Sequence, residues 1–196
     1  MKLSSYKASV LGVQCFIFSV PIGVHVLRPQ THFLFPPLGD ADGFLIGVGF
    51  CIVGLFTIMP WVWKKTQSPW LDSIAIVATF AFGIWYGVLV QKYVVGVPVQ
   101  SQGKIVYLSV GSVKSLNAQK YFPNAKAREM LHDRGPREEE VRWLYTDESI
   151  DSARDQLLLS YISFLAAANL SVGFLALRKA RQEHSSNALS NPASAP

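Results

Sequence analysis

Four stretches of this 196-residue chain, residues 8–27, 43–63, 73–91 and 156–177, contain no Asp, Glu, Lys or Arg. Each is about the length a helix needs to cross ~30 Å of hydrocarbon. The expected fold is therefore all-α: four transmembrane helices, with a mostly helical extracytoplasmic insert over 94–155 between the third and fourth. Little length remains for a water-soluble domain of ordinary size. Charged residues are 16% of the chain, against ~25% in soluble proteins.

A net charge of +5 and a pI near 9.3 could point to nucleic acid. The basic residues instead gather beside span ends, so no nucleic-acid partner is expected. Lys2 and Lys7 precede the first span, Lys64 and Lys65 separate the second and third, and Arg178, Lys179 and Arg181 follow the fourth. All fall on one side when both termini are cytoplasmic. The insert, with nine basic and nine acidic residues between 104 and 155, then lies outside. Lys2 and Lys7 also resemble a signal-peptide n-region, but the apolar run is long and no small-x-small site follows it, so an uncleaved helix is expected. Tail residues 178–196, Ser-, Asn-, Ala- and Pro-rich from 185 on, read as disordered.

Cys15 and Cys51 both fall in spans, so no disulfide framework is expected, and the four histidines show no ligand spacing. No metal or cofactor is expected. Gly39-Asp40-Ala41-Asp42-Gly43 has too few carboxylates for a calcium cage, and no phosphate-binding loop or nucleophile elbow occurs.

Within the spans, His25 is the one ionisable side chain near hydrocarbon, which removes the usual motor of a proton pump or voltage sensor. Small residues form stripes instead. Ala75, Thr79, Gly83 and Gly87 recur every fourth position, and Gly43, Gly47 and Gly54 share a face. Such faces let helices approach closely, and the second and third spans are expected to pack through them, or one to meet its twin in a homo-oligomer. Gln14 and Asn169 are the amides at depth. With Ser163 they define the alternative function, a small-solute transporter or channel with a polar site between the first and fourth helices. Pro21, Gly23 and Pro60 predict irregular span ends. Trp61, Trp63, Trp70, Phe33 and Phe35 form an interfacial belt against membrane lipid.

In the insert, 94–99 and 104–110 are rich in β-branched residues around Gln100-Ser101-Gln102-Gly103, which reads as a hairpin; alternatively Val94 and Val95 prolong the third helix. Short helices are expected between Pro123 and Gly135, and over 137–145. Thr146 should cap a long helix entering the fourth span. The run Glu138-Glu139-Glu140 reads as a solvated helix start. Tyr121, Phe122, Trp143 and Tyr145 divide between core and contact anchors for a protein partner.

The outline resembles that of tetraspanins, but the insert has no cysteine where that family depends on disulfides. In size and topology the chain is also similar to small membrane immunity proteins that protect bacteria from pore-forming toxins, a similarity of architecture that transfers no residue. The leading functional expectation is a non-enzymatic inner-membrane protein binding another protein, such as a toxin or a membrane-complex subunit. A lipid-acting enzyme using His32 or His132 is a third expectation.

Overall fold

The computed structural model describes residues 37, 51–56, 58–59, 69–99 and 105–190. The expected first span, with Gln14, lies outside these residues, as do Gly43 and Gly47. Of the second span, 51–56 and 58–59 are helical. The described elements run in the order α1 (Pro69–Tyr93), β1 (Val94–Pro98), β2 (Ile105–Ser109), α2 (Leu116–Tyr121), α3 (Ala127–Arg134), α4 (Glu138–Leu144) and α5 (Asp147–Ser190).

Two helices are long and apolar enough to cross a membrane, Trp70–Tyr93 and Asp147–Lys179. They differ in what surrounds them. In α1 only 22% of the most apolar window is buried, whereas in α5 the share is 61%. The outward stripe of α1 is Trp70, Ile74, Val77, Ile84 and Val88, at alternating three- and four-residue spacings once Ala81 is counted. A soluble protein rarely leaves so continuous an apolar face in water.

The inward face of α1 packs on α5. Tyr86, Leu89, Val90 and Tyr93 meet Ala153, Leu157, Tyr161 and Leu165, and Val53 from the helical segment at 51–56 joins the same cluster. The Tyr86 and Tyr161 rings lie 5.3 Å apart at 47°. Lower on the same face, Thr79 Oγ1 donates to its own helix at the Ala75 carbonyl (2.9 Å) and sits 2.9 Å from Ser171 Oγ. The Thr79 proton being committed, Ser171 donates the second bond. A Cβ on Gly83 would meet the Phe164 ring at 3.2 Å, so the missing side chain is what admits that ring. Thus the small-residue face of the expected third span receives the fourth span's helix at Gly83 and Thr79, and Val53 of the second span joins the same cluster.

Polar contacts bracket the pair at both ends. Asp72, buried in the first turn of α1, faces Arg178 of α5 at 4.0 Å. At the other end Tyr93 donates to Gln156 Oε1 (3.4 Å), and the Lys92 ammonium lies 4.7 Å from the Tyr93 ring centroid. At 1.5 Å per residue the brackets are about 30 Å apart on both helices, the thickness of bilayer hydrocarbon.

Beyond Tyr93 the backbone turns to strand. The hairpin is antiparallel, with Val94 opposite Ser109 and Pro98 opposite Ile105. Pairing extends one residue further, as Val110 N–H donates to the Tyr93 carbonyl (2.8 Å). Gly96 and Pro98 end the helix as breakers, so the hairpin forms and Val94 and Val95 do not prolong α1.

Three short helices follow and wrap a second core. Val97, Val110, Ala118, Met130, Leu131, Val141, Leu144, Tyr145 and Ile150 are all buried, so every element of the insert and the first turn of α5 contribute. Gly135 closes α3 at φ 102°, a conformation costly for any residue with a Cβ, and its N–H donates to the Leu131 carbonyl (3.0 Å). Thr146 stands at the N-cap position of α5, its carbonyl accepting from the N–H groups of Ser149 and Ile150. The tail expected from residue 185 is helical as far as Ser190. No Gly or Pro interrupts residues 178–190, so nothing in the backbone stops the helix.

Candidate functional site

The insert between α1 and α5 is where exposed chemistry collects, and its four aromatic candidates separate into two classes. Tyr145 is core: it is buried, its N–H donates to the Val141 carbonyl (2.9 Å), and burial pushes its phenol above the ordinary value. Phe122 is half-buried against the same core. Trp143 is half-buried and lays one face over that core while its ring carries a surface stack. Tyr121 is 61% exposed.

Four side chains join in this stack. The Arg134 guanidinium lies 3.7 Å from the Trp143 ring centroid, the Tyr121 ring follows at 6.1 Å and 28° from that of Trp143, and the Lys120 ammonium lies 5.3 Å from the Tyr121 centroid. Each ring of the Tyr121–Trp143 pair thus has a cation within reach of its π-system, a favourable arrangement. Arg134 is held in place by an ion pair with Glu140. Leu116, at the start of α2, is 84% exposed, and Val113 just before it is 52% exposed. Sequence reasoning passed over both, because a lone Leu or Val in a short helical segment looks like core.

Two polar devices hold this surface still. Lys114 places its ammonium among three backbone carbonyls, donating to Phe122 (3.0 Å), Pro123 (3.2 Å) and Ala125 (2.9 Å). These carbonyls follow α2 and have no helical donor of their own, so the lysine orders the 122–125 turn. Ser115 ties the start of α2 to α4. Its Oγ donates to the Trp143 carbonyl (2.7 Å) and accepts from Ala118 N–H (3.1 Å), while its own N–H donates to the Leu144 carbonyl (2.9 Å).

A buried ion pair fastens the insert to the stem. Arg154 on α5, its side chain 6% exposed, pairs with Glu138 of α4 and donates through Nε to Ser109 Oγ on β2 (3.1 Å). The glutamate run is therefore not a purely solvated helix start: Glu138 binds Arg154 and Glu140 binds Arg134. Three consecutive acids looked alike in sequence, and the packing of α4 gave two of them specific cations.

Comparison with protein-family models, curated proteins and solved structures returned no match. Function must be argued from the geometry alone.

Within the helix pair, Asn169 is fully buried and its Nδ2 donates to the Leu165 carbonyl (3.1 Å) of its own helix. Ser160 bonds back to Leu157 in the same way (3.0 Å). Gly54 is half-buried beside Val53, and a Cβ on Gly87 would meet nothing within 4 Å. Among the described residues Gly87 thus shares a stripe with Gly83 but not its contact with Phe164. His132 is exposed on α3, and among the described residues no group of three or more His, Cys, Asp or Glu side chains is gathered.

Proposed function

We infer that this chain is a non-enzymatic, multi-pass membrane protein whose outer insert is a rigid docking head for another protein. The full reading has four passes in an inner (plasma) membrane, both termini cytoplasmic and residues 94–155 outside. The observation that carries it is the insert's own buried core, with the Tyr121–Trp143 stack and Leu116 left outside that core. Rigid aromatic and Arg anchors on a preorganised surface are what protein interfaces use for most of their energy. The nearly unburied apolar face of α1 and the 30 Å spacing of the polar brackets support the membrane setting. A toxin-immunity factor and an accessory subunit of a membrane complex both fit.

The transporter alternative has no specific observation behind it: the Asn169 amide donates to its own helix at Leu165, and Gln14 lies outside the described residues. Cross-linking in native membranes, followed by recovery in mild detergent, tests the reading. A stoichiometric protein should be recovered with the native chain and lost with Tyr121→Ala or Trp143→Ala. Recovery unchanged by both substitutions would reject the docking surface.

A further inference from the structure

Charge is divided sharply along the insert. Between Asp72 and Glu129 the chain has no acidic residue, and residues 104–128 hold five basic ones. Residues 129–155 hold nine acidic and four basic residues. In the fold this becomes two exposed surfaces of opposite sign. One is the lobe from α2 to the first turn of α3, where Lys120, Lys126 and Arg128 are exposed, as are Leu116 and Tyr121, and where one exposed carboxylate, Glu129, accepts from the Lys126 N–H. The other is a ridge of exposed carboxylates on the first turns of α5, Asp147, Glu148, Asp151 and Asp155. None of the four forms an ion pair among the described residues.

The ridge is unfavourable in an isolated copy. Asp147, Asp151 and Asp155 follow one another at four-residue spacing, so like charges face each other along the helix. The helix dipole stabilises acids in the first turn, which accounts for Asp147 and Glu148 and not for Asp151 or Asp155. A cation beyond those of the described residues would relieve them.

Height above the membrane narrows the source of that cation. Both ends of α2 are tied to 143–144, through Ser115 and through the Tyr121–Trp143 stack. That level is reached at the start of α5, about 13 Å along the helix from Gln156. A headgroup layer is only about 5–7 Å deep, so the α2 lobe stands in water rather than among lipid. Two copies in one bilayer with the same orientation present the lobe at the height of the upper ridge, Asp147 and Glu148 with Asp151 one turn below.

Resting on the docking-head reading, we propose that the α2 lobe is occupied by a second copy of this chain, whose α5 carboxylate ridge it grips. Lys120, Lys126 and Arg128 of one copy face Asp147, Glu148 and Asp151 of the other. Leu116 and Tyr121 supply the apolar centre of the contact. In a two-fold pair the contact forms twice.

The test uses the full chain, labelled with donor or acceptor dye at its C-terminal end, in phosphatidylcholine liposomes at high lipid-to-protein ratio. Energy transfer should report association that weakens about tenfold between ~0.05 and ~0.5 M salt, because exposed charges are screened over that range. A lobe-reversed chain (Lys120→Glu with Lys126→Glu) and a ridge-reversed chain (Glu148→Lys with Asp151→Lys) should each self-associate at least ~10-fold more weakly. Mixing the two should restore association, since each reversed lobe then meets a ridge of opposite sign, which misfolded chains could not do. Association indifferent to salt and to both reversals overturns the proposal, as does a mixture that stays apart. Binding to phosphatidylglycerol vesicles lost in the lobe-reversed chain, with no recovery on mixing, would also overturn it and assign the lobe to anionic lipid. If self-association is absent while Tyr121→Ala still abolishes capture of a different protein, the docking head stands and the second copy falls.

Discussion

Replacing Arg154 with Met should uncouple the insert from its stem while leaving the helix pair intact. The guanidinium is 6% exposed and its partner Glu138 24% exposed, so the substitution strands a largely desolvated carboxylate. Removing one member of a buried ion pair costs about 3–5 kcal/mol. Because Glu138 keeps a quarter of its exposure, solvent recovers part of that, and about 2–3 kcal/mol is the appropriate share. The bond to buried Ser109 adds about 1 kcal/mol, for a total near 3–4 kcal/mol. Hydrogen exchange on the full chain in detergent reads this directly. Amides of β2 and α4 should exchange more than ~100-fold faster, at 1.4 kcal/mol per tenfold, while those of α1 between Thr79 and Val90 stay protected. Glu138→Gln with Arg154→Met should cost less than the two single changes summed, since both charges leave together. A loss under ~1 kcal/mol for Arg154→Met, or strict additivity in the double variant, would refute the claim that this pair fastens the insert.

Four further outcomes follow from the packing. Gly83→Leu should destabilise the helix pair by about 1–3 kcal/mol in denaturant titration, because Phe164 already fills the space, whereas Gly87→Ala should be neutral or gain up to ~1 kcal/mol from helix propensity. Gly111→Ala would place a Cβ 2.1 Å from Ser149 Oγ and 3.2 Å from Ile150 N; a loss of about 1–3 kcal/mol, partly relieved by Ser149→Ala, should appear as a shifted unfolding midpoint. Lys114→Met removes the donor to three carbonyls and should speed exchange in 122–126 by at least ~10-fold. Burial raises the Tyr145 phenol above its ordinary value near 10, so its contribution is complete below that pH and is lost above it, as the unfolded chain ionises first; Tyr145→Phe should flatten that alkaline limb of the stability profile.

Much of the insert was legible because its punctuation is local. Gly135-Pro136 ends α3 where a positive φ is needed, Thr146 precedes α5, and the β-branched runs on either side of 100–103 pair in the expected hairpin. Each signal acts within a few residues, so no tertiary knowledge was required. The division of the aromatics was not legible. Tyr121 and Tyr145 have the same side chain, and only the distance to Met130, Val141 and Ile150 makes one core and the other surface. Arg154 was equally hidden: it lies among charged and polar neighbours on a stem, and its burial depends on β2 and α4 folding back over it.

The order of residues alone determined that two uncharged helices of bilayer length frame a charged insert, since hydrocarbon length and ionisable content are additive along a chain. It also set the short-helix boundaries, which depend on nearest-neighbour backbone chemistry. Which helix receives the Ala75–Gly83 face, which glutamate meets Arg154, and which rings remain in water were decided only in three dimensions. Those outcomes depend on contacts between separate elements, from Glu138 and Arg154 at 16 positions apart to Thr79 and Ser171 at 92, and no local pattern encodes them.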